Sequence, residues 1–263
     1  TMGDQIMLLK RQLGSTDIKV SELGLGTVKL GRNTKVKYPD NFSIPNDQQA
    51  LKLLSTAAEL GINLLDTAPA YGNSEERLGN LLKGQRHNWI LCSKVGEEFI
   101  NNESTYLYNH AHIKKSIERS LQRLNTDYID IMLIHSNGND EDIIQSGALE
   151  ILNDFKNKGY IRATGMSTKT ISGGIMTIEQ ADIAMITYNP WYTDEKPVIN
   201  KAKDLNKGIL IKKAFNSGNF DNNTEPNPIA HSLNFILQEP IVSSIIIGSI
   251  NPEHLIHNIQ NIT

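Results

Sequence analysis

The sequence alternates short runs of strand-forming residues with longer stretches of helical periodicity. Eight runs have the length and composition of buried strands: "LGLGT" (23–27), "NLLDTA" (63–68), "WILCSKV" (89–95), "IDIMLIH" (129–135), "IRATGMS" (161–167), "IAMITYN" (183–189), "GILIKKAF" (208–215) and "SSIIIGS" (243–249). Their apolar residues are nearly continuous, which is typical of parallel strands that are covered by helices on both faces.

The stretches between these runs have the pattern of amphipathic helices. In "HIKKSIERSLQRL", Ile113, Ile117, Leu121 and Leu124 recur every three or four residues, which predicts one buried face. "NDQQALKLLSTAAELG" begins with a capping asparagine and closes with a glycine, as helices commonly do. Connections of this length allow consecutive strands to pair in parallel.

Eight strand–helix units predict an α/β fold, a (β/α)8 TIM barrel, as a single domain over residues 1–263. "LLKRQLGSTDIKVS" (8–21) adds an N-terminal β-hairpin that turns at Gly14 and Ser15. The alternative is an open doubly wound sheet, which usually carries G-x-G-x-x-G after its first strand. In "GLGTVKLG" the third glycine is replaced by Lys29, so no such fingerprint is present.

Charge and composition exclude several function classes. The chain has 26 basic and 29 acidic residues and a formal net charge of -3, so no global field favours nucleic acid. A single cysteine, Cys92, excludes an intrachain disulfide and a thiolate cluster, and we predict no metal site. Because no stretch of about 18 apolar residues occurs and the N-terminal apolar run is short, we expect a cytoplasmic protein without a membrane partner.

Four polar side chains stand at or just beyond the ends of consecutive predicted strands: Asp66, Tyr71, Lys94 and His135. Each alone has an ordinary structural explanation, such as a turn, a packed aromatic, a solvated lysine or a core histidine. In a barrel, however, the carboxyl ends of the strands build the active site. The joint pattern therefore predicts that the four side chains converge at one mouth.

The chemistry of this set indicates proton donation to a carbonyl oxygen. A tyrosine has a reference pKa of about 10, and a nearby Lys94 ammonium would lower it. Asp66 would pair with Lys94 and keep it charged, while a neutral His135 would donate a hydrogen bond to the substrate oxygen. With no nucleophile or metal set, we expect the oxygen's charge to come from hydride addition to the carbonyl.

At these residues the sequence resembles the aldo-keto reductase superfamily over nearly its whole length. The matching blocks, in order, are "LGLGT", "GINLLDTAPAYGNSEERLG", "SLQRLNTDYIDIMLIH", "GYIRATGMS" and "NPEHLIHNI". The resemblance implies a (β/α)8 barrel, a nicotinamide cofactor bound without a Rossmann fold, and reduction of aldehydes or ketones. It places the family's catalytic tetrad on Asp66, Tyr71, Lys94 and His135, with Tyr71 as general acid.

The resemblance also assigns the cofactor contacts. These fall on Gly26, Thr27, Ser167, Thr168, Lys212, Ser249, His254 and Asn258. The first two match positions beside the nicotinamide ribose, and Ser167 matches a serine that holds the carboxamide. Lys212 occupies the position of an aromatic that stacks on the ring, while Ser249 and Asn258 match the pyrophosphate and adenine end.

The resemblance favours NADP(H) over NAD(H). Gly248 and His254 stand where many relatives place a lysine and an arginine against the 2′-phosphate, so we expect the preference to be smaller than in those relatives. Phe99, Trp191 and Tyr192 follow strand ends and are candidates to line the substrate pocket. "NSGNFDNNTEPNP" (216–228) is a candidate mobile lid, and because the sequence ends at Thr263 we expect an open pocket.

Three functions are compatible with the sequence. The leading hypothesis is a cytoplasmic NAD(P)H-dependent oxidoreductase that reduces aldehydes or ketones to alcohols, with a small-molecule carbonyl compound as its partner. The second is a cofactor-binding interaction or regulatory module of the same fold with little turnover, as some family members serve channel partners. The third is a barrel hydrolase or isomerase without nicotinamide, because a fold alone does not fix function.

Overall fold

The computed structural model describes residues 8–36, 41–216 and 226–262. An N-terminal antiparallel hairpin is formed by β1 (Lys10–Gln12) and β2 (Lys19–Ser21). Eight strands then form a closed parallel barrel: β3 (Leu23–Gly26), β4 (Leu64–Asp66), β5 (Ile90–Val95), β8 (Ile129–His135), β9 (Ile161–Ser167), β10 (Ile183–Thr187), β11 (Gly208–Lys212) and β12 (Val242–Ile247). The predicted (β/α)8 barrel with an N-terminal hairpin is confirmed.

The helices follow the barrel strands. They are α1 (Val28–Gly31), α2 (Asp47–Glu59), α3 (Ser74–Leu81), α4 (His110–Arg123), α5 (Asp140–Gln145), α6 (Ala148–Asn157), α7 (Ile171–Gln180), α8 (Lys196–Leu205), α9 (Pro228–Leu237) and α10 (Pro252–Gln260). The predicted cap of α2 is present: the Asn46 side chain accepts from the Gln49 backbone N–H, and the Gln49 side chain accepts from Asn46 N–H. Gly61 follows this helix with a φ of 91°, as its predicted role as a helix stop requires.

The barrel strands pair in chain order, and β12 pairs with β3 to close the ring. One insertion departs from simple strand–helix alternation. After β5, a second antiparallel hairpin, β6 (Glu97–Ile100) with β7 (Glu103–Tyr106), precedes α4. This hairpin was not predicted, because its strands, EEFI and ESTY, are short and show no alternation of apolar and polar residues.

The N-terminal hairpin closes one end of the barrel. Leu13, Ile18 and Val20 are buried and pack with interior barrel residues such as Ile183 and Leu210. These contacts lie near the amino ends of the strands, since the Leu13 side chain lies beside Gly208, the first residue of β11. The carboxyl ends of the strands are therefore left as the open mouth.

Two further predictions concern a membrane partner and the candidate lid at residues 216–228. Within residues 8–36, 41–216 and 226–262, no helix has the length and apolarity needed to cross a membrane. Residues 217–225, which hold most of the candidate lid, lie outside the described residues. The lid therefore stays a prediction.

Candidate active site

Three neighbouring strands bring the four predicted catalytic residues together. Asp66 is the last residue of β4, Lys94 lies one residue before the end of β5, and His135 is the last residue of β8. Because β4 pairs with β5 and β5 pairs with β8, these side chains share one sector of the mouth. Tyr71 follows in the loop after β4 and turns back toward the same sector.

The Lys94–Asp66 ion pair lies at the base of the site. Nζ of Lys94 lies 2.6 Å from Oδ1 of Asp66 and donates to the Thr67 carbonyl oxygen at 2.9 Å. Both charged side chains are buried. Burial works against the ammonium, but Asp66 and the nearby Tyr71 and Cys92 side chains raise the pKa of Lys94 above its ordinary value. The lysine therefore stays charged at neutral pH.

The phenol of Tyr71 lies between Lys94 and His135. Nζ of Lys94 is 5.0 Å from the centroid of the Tyr71 ring. The rings of Tyr71 and His135 are edge to face, with centroids 6.1 Å apart and an interplanar angle of 87°. The ammonium and the Tyr71 side chain are thus close enough to interact electrostatically.

His135 has an acidic neighbour that the sequence analysis missed. Nδ1 of His135 lies 2.9 Å from Oε2 of Glu97, the first residue of β6, although the N–H is not aligned as a hydrogen bond. Burial lowers the pKa of His135 below its usual value, while Glu97 opposes this shift and the Lys94 and Lys212 charges add to it. No signal in the sequence singles out Glu97, because the polar stretch around it holds several similar carboxylates.

The residues that the resemblance assigns to the cofactor occupy the other side of the mouth. They lie on or directly after β3, β9, β11 and β12, or on α10. Since β9, β10, β11, β12 and β3 are consecutive around the ring, these positions form one continuous arc. The catalytic residues on β4, β5 and β8 complete the circle. A cofactor along this arc would reach the tetrad at either end.

One end of the arc is built around a desolvated lysine. Nζ of Lys212 donates to Oγ of Ser167 at 2.9 Å and to the Thr168 carbonyl oxygen at 2.8 Å. Burial lowers the pKa of Lys212 to about 7, with Glu195 opposing and the charges of Lys213 and Lys169 adding to the shift. The hydroxyl of Thr168 is buried without a hydrogen-bond partner. An unpaired hydroxyl beside a lysine suits a polar ligand group such as a carboxamide.

At the other end of the arc, the assigned side chains differ in their hydrogen-bond partners and in their burial. The Thr27 hydroxyl donates to the Asp66 carbonyl oxygen at 2.8 Å and also contacts Ser74, so it holds the β3–β4 loops together. Gly26 ends β3 beside it. Ser249 is bound to the backbone of its own loop, and α10 carries Asn258 buried and His254 exposed.

The three candidate pocket aromatics have different surroundings. Phe99 lies on β6, and the guanidinium of Arg32 stacks on its ring at 3.4 Å from the centroid. Arg32 also donates to the Ala70 carbonyl oxygen at 3.1 Å, which links the inserted hairpin to the Tyr71 loop. Trp191 packs edge to face against His231, with ring centroids 6.2 Å apart. Tyr192 follows it, half-buried.

The lowered pKa of Lys212 makes a direct chemical prediction. At pH 7 its neutral fraction should be about a thousand times that of an ordinary lysine, so acetic anhydride should label it with a titration midpoint near pH 7. Lys94 should stay unlabelled, because it is more deeply buried than Lys212 and is held charged by Asp66. Peptide mass spectrometry after competitive labelling across pH measures both residues. A Lys212 midpoint near 10 would contradict the prediction.

A closed parallel barrel with an Asp–Lys–Tyr–His cluster at its mouth has the architecture of an enzyme. Comparison with known proteins identifies the family. The family model described as "Aldo/keto reductase family" matches residues 22–232, and the chain belongs to this family. It is an oxidoreductase family that uses nicotinamide cofactors and acts on small carbonyl compounds.

Individual relatives agree with this placement. An uncharacterized oxidoreductase of Bacillus subtilis is 29% identical over 290 residues, covering 95% of this chain and 90% of that protein. The NADH-specific methylglyoxal reductase of Escherichia coli is 34% identical over 170 residues, covering 59% of this chain and 51% of that protein. A crystal structure of a Pseudomonas aeruginosa protein assigned to the aldo-keto reductases has 46% identity and a TM-score of 0.89, covering 98% of this chain and 96% of that one.

Proposed function

We propose that this protein reduces aldehydes or ketones to alcohols with NADPH or NADH, and that Tyr71 is the general acid. The observation that carries this proposal is the buried Lys94–Asp66 pair, at 2.6 Å, with the ammonium 5.0 Å from the Tyr71 ring. A buried cation beside a phenol stabilises the phenolate that remains when the phenol gives its proton to the substrate oxygen.

The residues of this chain divide the reaction between them. The reduced nicotinamide supplies a hydride to the carbonyl carbon when the cofactor is bound. As negative charge develops on the carbonyl oxygen, Tyr71 gives it a proton, and the Lys94 ammonium stabilises the phenolate that remains. Asp66 keeps Lys94 charged and fixed in position, so the stabilising charge is present before the reaction begins.

The cofactor arc fits a nicotinamide dinucleotide in its chemistry. Ser167, the unpaired hydroxyl of Thr168 and the Lys212 amine offer polar groups for a carboxamide. At the far end, Ser249 and Asn258 would contact the pyrophosphate and adenine, as the resemblance implies. The arc and the catalytic sector meet between β3 and β4 and between β8 and β9. Ser167 and Thr168, at the end of β9, would therefore hold the carboxamide beside the strand that carries His135.

The decisive experiment combines purified protein, each reduced cofactor and a panel of aldehydes and ketones, and follows the loss of reduced nicotinamide absorbance. Turnover with any of these compounds supports the proposal. Tight cofactor binding without turnover of any compound would instead support the regulatory module of the same fold. Failure to bind either cofactor would exclude both.

For the cofactor we propose NADP(H), with a modest margin over NAD(H). The amino end of α10 carries a positive dipole, which favours an added phosphate. Its first N–H groups are not free, because those of Glu253 and His254 already donate to Asn251. The helix sequence, PEHLIHNIQ, contains no lysine or arginine that could form a charge-assisted pair with the phosphate. The Escherichia coli relative is NADH-specific by name, so the choice differs within the family.

We expect NADPH to bind more tightly than NADH by less than about 10-fold, which is the value of one modest charge contact. Fluorescence titration of both cofactors measures the ratio. His254→Arg is the matched gain-of-charge variant, because His254 is exposed on α10 and the change should widen the ratio. Equal or tighter binding of NADH by the wild-type protein would contradict the proposed preference.

A further inference from the structure

The inserted hairpin β6–β7 holds a carboxylate against the catalytic histidine. Two contacts bring the hairpin segment to His135: Oε2 of Glu97 lies 2.9 Å from Nδ1, and the Tyr108 hydroxyl donates to the His135 carbonyl oxygen at 2.7 Å. Both the ring and the backbone of the histidine are therefore engaged by residues that follow β5. Glu97, which is not one of the four predicted catalytic residues, therefore contacts one of them.

A glycine sets the position of Glu97. Gly96 joins β5 to β6 with a φ of 111°, a conformation that other residues rarely adopt. A Cβ at this position would lie 2.3 Å from Cε1 of Tyr108, so a side chain would also clash. The chain can turn here and bring Glu97 over the end of β8 because residue 96 has no side chain.

The Glu97 carboxylate is fixed in orientation by its own strand partners. Oε1 accepts hydrogen bonds from Oγ of Ser104 at 2.9 Å and from the Tyr106 hydroxyl at 3.0 Å. Oε2 is the oxygen that faces His135. Burial disfavours the charge, but the contacts with His135, Ser104 and Tyr106 lower the pKa of Glu97 to about 2. Glu97 is thus anionic at neutral pH.

A fixed anion decides where a neutral imidazole carries its proton. A neutral imidazole has one N–H donor and one acceptor nitrogen. Nδ1 faces the anion, so the proton is favoured on Nδ1 and the lone pair on Nε2. Burial keeps the pKa of His135 below its usual value despite Glu97, and the charges of Lys94 and Lys212 act in the same direction as burial. A neutral His135 with its proton on Nδ1 would have Nε2 as an acceptor, whereas the sequence predicts a donor there, and the spectra described below decide between the two.

We propose that Glu97 is a positioning residue that holds the His135 proton on Nδ1, so that Nε2 accepts a hydrogen bond from a hydroxyl group of the substrate. This rests on the proposed carbonyl reduction. With Tyr71 as the donor to the carbonyl oxygen and His135 as a neighbouring acceptor, the site selects carbonyl compounds that carry a hydroxyl on the adjacent carbon. Hydroxyaldehydes and hydroxyketones have this arrangement of oxygens.

The first test reads the tautomer directly. The protein contains seven histidines, and a His135→Gln variant identifies the relevant signal in two-bond ¹H–¹⁵N spectra of ¹⁵N-histidine-labelled protein. We expect a protonated Nδ1 and an unprotonated Nε2 at pH 7 in the wild-type protein. A wild-type spectrum with the proton on Nε2 would overturn the proposal, whatever the behaviour of any variant.

Glu97→Gln should reverse this tautomer. Ser104 and Tyr106 donate to Oε1, so they should retain the glutamine oxygen at that place and leave its NH₂ group facing Nδ1. An N–H donor there moves the proton to Nε2, and loss of the anion lowers the pKa of His135 further. Glu98→Gln is the matched control, because Glu98 is the next residue and pairs with His112 and Arg119 instead. It should leave the His135 signal unchanged, and an unchanged signal in Glu97→Gln would overturn the proposal.

The second test reads substrate choice. Glycolaldehyde can donate a hydrogen bond to Nε2, whereas methoxyacetaldehyde can only accept one. We expect Glu97→Gln to shift the ratio of kcat/KM for these two compounds about 3- to 10-fold toward methoxyacetaldehyde, the value of one hydrogen bond, and Glu98→Gln to leave it unchanged. An unshifted ratio in an active enzyme would overturn the substrate assignment while sparing carbonyl reduction. If no aldehyde or ketone is reduced by the wild-type protein, carbonyl reduction itself fails, while the spectra still decide the role of Glu97.

Discussion

Tyr71→Phe is expected to lower turnover about 10²- to 10⁴-fold, because general acid catalysis typically contributes that much. The substitution keeps the ring and its edge-to-face contact with His135, at 6.1 Å between centroids, and removes only the hydroxyl. The proton for the developing alkoxide must then come from water. Steady-state kinetics with the best aldehyde of the panel measure the loss.

Cofactor binding and folding serve as the controls for this variant. Because the change deletes one polar atom at the barrel mouth and creates no core cavity, the midpoint of thermal unfolding and the cofactor dissociation constant should stay close to wild type. The Michaelis constant should also change little, since the strongest interaction forms only when charge has built up on the oxygen. A Tyr71→Phe enzyme with wild-type turnover would refute the assignment of Tyr71 as general acid.

Lys94→Met is expected to depress turnover strongly and also to destabilise the fold. The rate falls because the phenolate of Tyr71 loses the ammonium that lies 5.0 Å from its ring. The fold weakens because Asp66 is left as a buried carboxylate without its 2.6 Å partner, and breaking a buried pair from one side costs about 3–5 kcal/mol. Denaturant unfolding measures the second effect, and cofactor affinity should stay within a small factor of wild type.

The double variant Asp66→Asn/Lys94→Met separates pairing from independent action. Asparagine leaves no unpaired charge, so the double variant should recover part of the stability that Lys94→Met loses. Its turnover should be close to that of the worse single variant, because both residues act through the same ammonium. If the two single losses multiply in the double variant, Asp66 and Lys94 act independently and the proposed coupling is wrong.

The barrel was predictable because it depends on patterns that are local in sequence. Strands such as 129–135 and 161–167 are continuous apolar runs, and their burial on both faces follows from composition alone. The convergence of Asp66, Lys94 and His135 follows from the same reasoning, since chain-order pairing of parallel strands brings their carboxyl ends to one mouth. Their catalytic roles, which are argued from side-chain chemistry and from the resemblance, are proposals.

Two features of the mouth depend on contacts that no sequence pattern announces. Lys212 was assigned by position in a family pattern, but only its enclosure by Ser167, Thr168 and Glu195 reveals a lysine with a pKa near 7. The hairpin β6–β7 consists of two short strands without alternation of apolar and polar residues, and its strand pairing becomes visible only in the fold.

The sequence by itself determined the barrel, its order of strands and the side chains at the strand ends, because apolar periodicity and chain order are sufficient for these. The tertiary structure decided the surroundings that shift the pKa values of Lys94 and His135. Glu97 and His135 are 38 positions apart in the sequence, yet their facing atoms lie 2.9 Å apart. Proton positions and pKa values depend on distances of this size and on the exclusion of water, which arise only when separate segments pack together.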